Sequence, residues 1–340
     1  SEGQVAGDAV GGDRSRERLS LRDDEVGVCR CGREDGVVSV VAGMLAGQII
    51  NLWLVGSTLG KSGFSVRPAW SGGVPLQNSL AQYLPLVAAA LFVNLAIPVN
   101  IGMASTLEEG SAAALGLGSK VVTFITGLVT AGVTTVILPY FSSFMARNRL
   151  LDVRNELSFF LIAATVITIP VSLLLFAGAE FIVGLVFEGG AFTAADVRQV
   201  ARVMSYAILQ LPFFTVNLLI LEFAIATGHA WRVMTASLFA LAVNVGLNLV
   251  LMQHSGVAGI ALAASLAVAA SACFMLLLFN RLGHIPWIDL VLIGLNWMLY
   301  TTLVISLQYH GYAGVVVAIL ALAILLYGQW KLLTRWRAAV

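Results

Sequence analysis

Two ionisable side chains, Lys120 and Glu222, lie inside long apolar runs of this sequence. A charge at the centre of a lipid bilayer costs about 2.5–3.5 kcal/mol on insertion scales, so such a position needs a reason. Small and hydroxyl-bearing residues share one narrow helical face with Lys120, namely Gly116, Thr123, Gly127, Thr130 and Thr134. Tight helix packing explains these neighbours but not the ammonium. The face therefore predicts a water-filled cavity that receives an anion.

Glu222 and an arginine-bearing stripe belong to one apolar run. Glu222 is close to the end of that run, where the simplest interpretation is a carboxylate at the membrane interface. The stripe consists of Arg202, Tyr206, Gln210 and Asn217, which share a helical face. Arg202 fits a cation in an outer cavity and an interfacial anchor equally well. We take Arg202 and Gln210 as candidate ligand-binding residues.

Amide side chains mark two further runs. Asn94 and Asn100 flank Pro98, which lacks a backbone N–H and is expected to kink its helix. Broken helices near the bilayer midplane recur in transporters, so both asparagines are candidate binding residues. Another helical face contains Ser237, Asn244 and Asn248. We interpret it as structural, because amides inside bundles usually form interhelical hydrogen bonds worth about 0.6 kcal/mol each.

The composition indicates the environment of these residues. Of 340 residues, 59% are hydrophobic and 11% are charged, and the mean hydropathy is +0.91. Soluble domains contain about 45–50% apolar and about 25% charged residues. The composition excludes a cytosolic enzyme and a disordered chain, and the net charge of +1 provides no basic patch for nucleic acid. The sequence predicts an all-α, polytopic helical membrane protein.

About nine transmembrane helices are expected, because a helix needs about 20 mainly apolar residues to cross the hydrocarbon. The runs are 37–59, 80–104, 112–139, 157–178, 197–226, 233–253, 257–279, 288–307 and 312–333. Lys and Arg concentrate in the connections on one side of this arrangement. The connections on the other side, at 105–111, 179–196, 254–256 and 308–311, contain none. The basic side is predicted to be cytoplasmic, which places the C-terminus inside.

Residues 1–36 do not share this pattern. They are polar, rich in Gly, Arg, Asp and Glu, and have no apolar period. We interpret them as a disordered or non-native leader. Cys29 and Cys31 form one C-x-C pair without a second pair nearby, which is too weak a pattern to predict a metal site.

Clustered acids and bases at one membrane depth, which an intramembrane enzyme needs, are missing from the sequence. The four histidines lie in loops or at helix ends, and no Gly-rich phosphate loop precedes a helix. The sequence therefore favours transport over catalysis and predicts no catalytic residue, metal or cofactor.

The connection at 179–196 has the residues of an ordered segment. Positions 179–188 can form a short helix, which Gly189 and Gly190 would close. Thr193 or Asp196 is then placed to cap the next helix by accepting hydrogen bonds from its first backbone N–H groups.

Three stretches resemble one known family: TTVILPYFS at 134–142, FEGGAFTAAD at 187–196, and NVGLNLVLM followed by GVAGIALAASLA between 244 and 266. With their order and the span pattern, they resemble the lipid II flippase family (MurJ/MviN), within the multidrug/oligosaccharidyl-lipid/polysaccharide exporter superfamily. The resemblance covers about residues 37–335. It implies fourteen spans, of which those found here are the sixth to the fourteenth, so an N-terminal lobe is expected to be missing.

The resemblance also implies a division of the chain. Its parts are 37–59, the last helix of a truncated first lobe; 80–279, a second six-helix transporter lobe; 288–333, two extra C-terminal groove helices; and 334–340, a cytoplasmic tail. The family places a cation, usually arginine, where this sequence has Lys120, and polar residues near Asn94 and Asn100. The stretch at 223–233, FAIATGHAWRV, departs from the family pattern.

The function that the resemblance implies is movement of a polyprenyl diphosphate-linked saccharide to the outer leaflet of the bacterial inner membrane. The expected partners are that lipid-linked saccharide and membrane lipids, without nucleic acid. Lys120, Thr123, Thr130, Asn94, Asn100, Arg202 and Gln210 are the candidate substrate-binding residues. A cation-coupled multidrug exporter of the same superfamily is the alternative, with Glu222 as its candidate ion site. A membrane-bound transferase and a non-transporting scaffold are further alternatives.

Overall fold

The computed structural model describes residues 38–39, 41–58, 61, 76–146, 150–187, 189, 192–283 and 285–308. Several predicted segments lie outside the described residues: the leader at 1–36 with Cys29 and Cys31, the last run at 312–333, and the tail at 334–340.

Nine helices account for nearly all of the described residues, which confirms the all-α prediction. They are α1 (Val41–Thr58), α2 (Leu76–Ala104), α3 (Ser111–Ala146), α4 (Leu150–Ala177), α5 (Ala179–Phe187), α6 (Ala194–Ile208), α7 (Leu211–Ala226), α8 (Ala230–Arg281) and α9 (Trp287–Gln308). The chain divides into two compact units, residues 1–73 and 74–340. The first contains α1, whose side chains are exposed almost throughout.

Six helices in the described part of the chain are long and apolar enough to cross a membrane, and the pair α6 and α7 adds a seventh if it counts as one span. Together they cover the first eight of the predicted runs, because α8 contains two of them.

The helix α8 folds back on itself at Gly256, whose φ of 57° and ψ of −137° are not helical. The rings of Phe239 and Phe274 stack with centroids 5.1 Å apart, whereas a straight helix would separate them by about 50 Å. A Cβ on Gly259 would overlap the carbonyl of Leu251, so the two arms approach closely near the turn. The prediction of separate helices at 233–253 and 257–279 is therefore confirmed.

The prediction of one continuous helix over 197–226 is wrong. The structure has two helices, α6 and α7, whose axes differ by 42°. The reason is Pro212, in the first turn of α7, which has no backbone N–H to donate to the carbonyl of Ile208. The predicted kink site, Pro98, lies within α2, which continues from Leu76 to Ala104.

Side chains from three neighbouring helices satisfy the carbonyl groups at this break. Ser172 Oγ on α4 donates to the Ile208 oxygen at 3.0 Å, and the Tyr300 hydroxyl on α9 lies 2.6 Å from the same Oγ. Ser265 Oγ, on the second arm of α8, donates to the Tyr206 oxygen at 2.7 Å. In hydrocarbon a helix can be interrupted only where protein groups replace the lost backbone bonds. These hydroxyls make the break compatible with a membrane interior.

The segment between α5 and α6 follows its prediction closely. The short helix α5 ends at Phe187, and Gly189 has a φ of +152°. Thr193 and Asp196 form a capping box at the start of α6, in which the Asp196 N–H donates to the Thr193 hydroxyl and the Thr193 N–H donates to the Asp196 carboxylate. The first orphan N–H groups of α6 are thereby partly satisfied.

Close packing against α6 fixes the rotation of α3. A Cβ on Gly118 would lie 2.8 Å from Val203 Cγ1 and 3.1 Å from the Val200 oxygen, so only glycine fits there. Lys120 is two residues further on, about 200° around the helix, and therefore points away from α6. The glycine thus sets the direction in which the lysine faces.

We expect Gly118→Ala to lower the free energy of unfolding by about 1–3 kcal/mol, because the added methyl group overpacks the contact between α3 and α6. Gly116→Ala is the matched control, since no atom lies within 4 Å of the position that its added methyl group would take. Thermal unfolding of the purified chain in detergent measures both. Equal stability of the two variants would contradict the close contact.

Ser172→Ala is expected to lower the free energy of unfolding by about 1–3 kcal/mol, because it leaves the buried Ile208 carbonyl without the hydroxyl that donates to it. Combining it with Tyr300→Phe should cost less than the sum of the single changes, since both act on one network. Ser105→Ala is the control, as the hydroxyl of Ser105 is exposed and bonds only within its own turn. Additive losses measured by unfolding in detergent would refute the shared network.

Candidate functional site

The predicted anion-binding face of α3 lies on the exposed side of the described unit. Lys120 and Thr123 are exposed and Thr130 is half-buried. Thr123 Oγ1 donates to the Ser119 oxygen and Thr130 Oγ1 to the Thr126 oxygen, both at 2.8 Å. Each hydroxyl has its single donor engaged within the helix, so it must release that bond before it can donate to an anion. The ammonium of Lys120 is the stronger donor on this face.

Asn94 is exposed on α2, and its Nδ2 donates to the Ala90 oxygen at 2.8 Å. An amide nitrogen carries two hydrogens, so one remains available for a ligand. The backbone carbonyl of Asn94 also lacks its usual helical donor, because the residue four positions later is Pro98, which has no backbone N–H. Asn94 therefore keeps both donor and acceptor capacity.

Asn100 occupies a different place from Asn94. It lines a cavity of about 390 Å³ between α2, α7 and the two arms of α8. Its Oδ1 accepts from Asn248 Nδ2 at 2.7 Å, and Asn248 Nδ2 is also 3.3 Å from Asn244 Oδ1. The interpretation as an interhelical hydrogen-bonding residue is confirmed for Asn248, whereas Asn244 bonds to Asn248 within the same arm of α8.

This interhelical cavity collects neutral polar groups. Its polar lining consists of Asn100, Gln210, Asn217, Ser237, Asn244 and Ser271, and its remaining lining is apolar. Asn217 Nδ2 donates to the Val268 oxygen at 3.0 Å, and Ser271 Oγ to Asn217 Oδ1 at 3.4 Å. No charged side chain is among the described residues that line the cavity. It suits a neutral or weakly polar group better than a diphosphate.

Arg202 lies apart from the exposed face with Lys120 and from the interhelical cavity. It lines a cavity of about 440 Å³ at the N-terminal end of α6, together with Arg198, Gln199 and Glu108. The break at Pro212 separates Arg202 from Gln210, which the sequence places on one stripe.

The predicted binding residues therefore fall into three groups. The first group lies on exposed parts of α3 and α2 and consists of Lys120, Thr123, Thr130 and Asn94. The second group, Asn100 and Gln210, lines the interhelical cavity. The third is Arg202, which lines the cavity at the N-terminal end of α6. Lys120 lines neither of these two cavities. Sequence reasoning missed Ser271. The charges of Arg198 and Arg202 predict that the first turns of the run at 197–226 lie at the interface or against a wet cavity, and both arginines line one cavity.

Glu222 lies one turn before the end of α7, and its place at the membrane interface stays a prediction. The side chain is only 5% exposed, on a helix that packs against α3, α4 and α8. Within the described part of the chain it makes no hydrogen bond or ion pair.

Comparisons with known proteins agree on one family. The model of the family described as lipid II flippase MurJ matches residues 27–333. A probable lipid II flippase MurJ of Thermotoga maritima is 30% identical over 179 residues, which are 53% of this chain and 37% of that protein. A probable lipid II flippase MurJ of Buchnera aphidicola subsp. Acyrthosiphon pisum is 24% identical over 254 residues, which are 74% of this chain and 46% of that protein. The matched region spans less than half the length of either relative.

Solved structures share the fold. A lipid II flippase MurJ in an inward closed conformation superimposes with a TM-score of 0.52 at 19% identity, covering 76% of this chain and 56% of that one. An outward-facing multidrug resistance MATE family transporter of the MOP superfamily gives 0.53 at 16% identity, covering 66% and 52%. These structures show the fold, and the family model, which matches residues 27–333, shows the family: the chain belongs to the MurJ family of lipid II flippases.

Proposed function

We propose that this chain takes part in moving lipid II, a polyprenyl diphosphate-linked saccharide, from the inner to the outer leaflet of the bacterial inner membrane. The observation that carries the proposal is the family match over residues 27–333. The exposed position of Lys120 on α3 supports it, because a second lobe facing α2 and α3 would turn this exposed side into an internal cavity. Alternating access requires such a pair of lobes.

The chemical task of Lys120 is to offset charge. A diphosphate brings about two negative charges, and each charge crossing a low-dielectric region is strongly destabilised unless a counter-charge is close. The ammonium supplies one positive charge, and the free amide hydrogen of Asn94 supplies a neutral donor. A lysine acts as a point charge without the planar fork of arginine, so it recognises phosphate with less geometric selectivity. No bond is made or broken in this step, and we propose no catalytic residue.

The apolar tail of the substrate requires a separate surface. Exposed apolar residues along α9, among them Leu295, Met298 and Ile305, support a role for this helix in contacting the tail. Phe213 of α7 holds α9 in place, with ring centroids 4.7 Å from Trp297. We propose that α9 and the segment 312–333 form the groove for the lipid chain.

The orientation follows from charge. At one end of the two α8 arms lie Arg232 and Arg281, and at the other lies the turn at Gly256, close to Glu108. Basic connections favour the cytoplasmic side. We therefore propose that the Gly256 end faces outward and that the C-terminus is cytoplasmic.

A cation-coupled exporter of the same superfamily is the second candidate, and Glu222 is the observation that favours it. An ionisable side chain buried within membrane helices is a candidate ion or proton site by default. In this alternative the carboxyl would take up and release a proton as the helices around α7 rearrange.

Lys120→Ala in the complete gene is expected to lower flipping about 10- to 100-fold, since a hydrogen bond to a charged group contributes about 1.5–3 kcal/mol. Lys120→Arg should retain activity, and Lys120→Glu should be inactive. The amount of lipid-linked precursor at the outer leaflet is the measurement. Phe124→Ala, an exposed change one turn away, is the control for folding. Unchanged flipping in Lys120→Ala would remove the lysine from the mechanism.

Glu222→Gln distinguishes the two candidate functions. If lipid II flipping is not coupled to this carboxyl, the variant flips at the normal rate, because glutamine preserves the shape and removes only the titration. If the chain is a proton-coupled exporter, the same variant loses drug efflux driven by a pH gradient. Both transport assays are run on the same membranes, with Glu222→Asp as the variant that keeps a carboxyl.

A further inference from the structure

The cavity that contains Arg202 lies at the Gly256 end of the bundle, where three separate parts of the chain meet. The turn between α2 and α3 contributes Leu107, Glu108 and Ser111; α6 contributes Ala195, Arg198, Gln199 and Arg202; and the α8 turn contributes residues 255–258. Its volume is about 440 Å³. Arg198 also borders a neighbouring cavity of about 590 Å³, which Glu180 lines. Arg198 therefore borders both cavities, and Arg202 lines the first of them.

These arginines are exceptional for their location. The connections at this end contain no Lys or Arg, so the two guanidinium groups are not part of a general basic surface. Because they are one helical turn apart on α6, they project from the same side of that helix toward one ligand.

Neither guanidinium is neutralised by a carboxylate among the described residues. The carboxylate of Asp196, the acidic residue nearest to them on α6, is engaged at 2.8 Å by the Thr193 N–H and at 2.6 Å by its hydroxyl. Glu108 lines the same cavity and Glu180 the neighbouring one, but neither forms an ion pair within 4 Å in the described part of the chain. Each guanidinium thus keeps most of its five N–H donors for a ligand.

The local field adds to the attraction for an anion. The helices α3 and α6 and the second arm of α8 all begin at this cavity, and a helix N-terminus is equivalent to roughly half a positive charge. The amide of Gln199 and the hydroxyl of Ser255 provide neutral donors. The full positive charges of Arg198 and Arg202 outweigh the single carboxylate of Glu108, although the ends of α2 and of the first arm of α8 at the same cavity offset two of the three helix starts.

We propose that this cavity is a binding site for a phosphate-bearing headgroup, held by Arg198 and Arg202. The planar guanidinium matches two oxygens of a phosphate at once, and a pair of them matches a diphosphate or two adjacent oxygens of a phosphodiester. The site is separate from Lys120, which lies further along α3. Recognition of phosphate follows from the residues alone; a lipid-linked diphosphate as the natural occupant rests on the proposed function, in which this site receives the headgroup after translocation.

The test measures binding to the full 340-residue chain in nanodiscs of neutral phosphatidylcholine. One arm adds soluble inorganic pyrophosphate, and the other replaces part of the lipid with phosphatidylglycerol; bound ligand is quantified by native mass spectrometry. We expect Arg198→Gln with Arg202→Gln to weaken binding at least 10-fold. Glu108→Gln should strengthen it several-fold, because it removes the opposing carboxylate and leaves both arginines in place.

The charge-matched control is Arg232→Gln with Arg281→Gln. It removes two arginines from the end of the two α8 arms that lies away from the Gly256 turn, and it should change binding less than twofold. Binding of phosphatidylglycerol without binding of pyrophosphate would identify a lipid headgroup site, and binding of both ligands would identify a site for phosphate from either source. Equal losses in the two double variants, or no response to Glu108→Gln, would reduce the arginines to interfacial anchors and overturn the proposal. Because no translocation is measured, failure here is distinct from failure of the flippase proposal.

Discussion

The requirement that buried backbone groups find hydrogen-bond partners shapes this bundle more than any other interaction. Pro212 removes one donor, and the chain responds by breaking the helix at Leu209 and Gln210 and by recruiting hydroxyl groups from three neighbouring helices. A membrane interior offers no water to take their place. The polar side chains Ser172, Ser265 and Tyr300 therefore belong to the fold, not to a ligand site.

The break also decides which polar residues can act together. On a straight helix, Arg202 and Gln210 would face the same space. With the axes turned by 42°, α6 carries its arginines to the cavity at one end, while α7 carries Gln210 and Asn217 into the interhelical cavity. Charged and neutral polar groups are thereby kept in separate places.

Much of the fold could be predicted from the sequence, because apolar runs of about 20 residues report directly on membrane spans. The turn near Gly256 and the cap by Thr193 and Asp196 were predictable for local reasons, since each depends on a few adjacent residues. The break before Pro212 was not, because counting apolar residues does not register a missing N–H. The burial of Glu222 depends on the rotation of α7 against three other helices, which no single run contains.

The candidate site shows the same division. The polar face that contains Lys120 was recognisable from the sequence, but the direction in which this face points depends on the contact of Gly118 with Val203, which joins two distant runs. Asn100 and Asn248 were each recognisable as polar residues of separate runs, but the hydrogen bond that joins them depends on how the two helices pack. Helical spacing predicts which residues share a face only as far as the helix is straight, and the bend of 42° between α6 and α7 ends such a face.

The bond between Ser172 and Tyr300 has a mechanical consequence. It fastens α9, a helix outside the predicted six-helix lobe, to α4 and to the break in one place deep in the protein, where Phe213 and Trp297 also interlock. The position of α9 therefore depends on the same hydroxyl groups that satisfy the carbonyl groups at the break before Pro212.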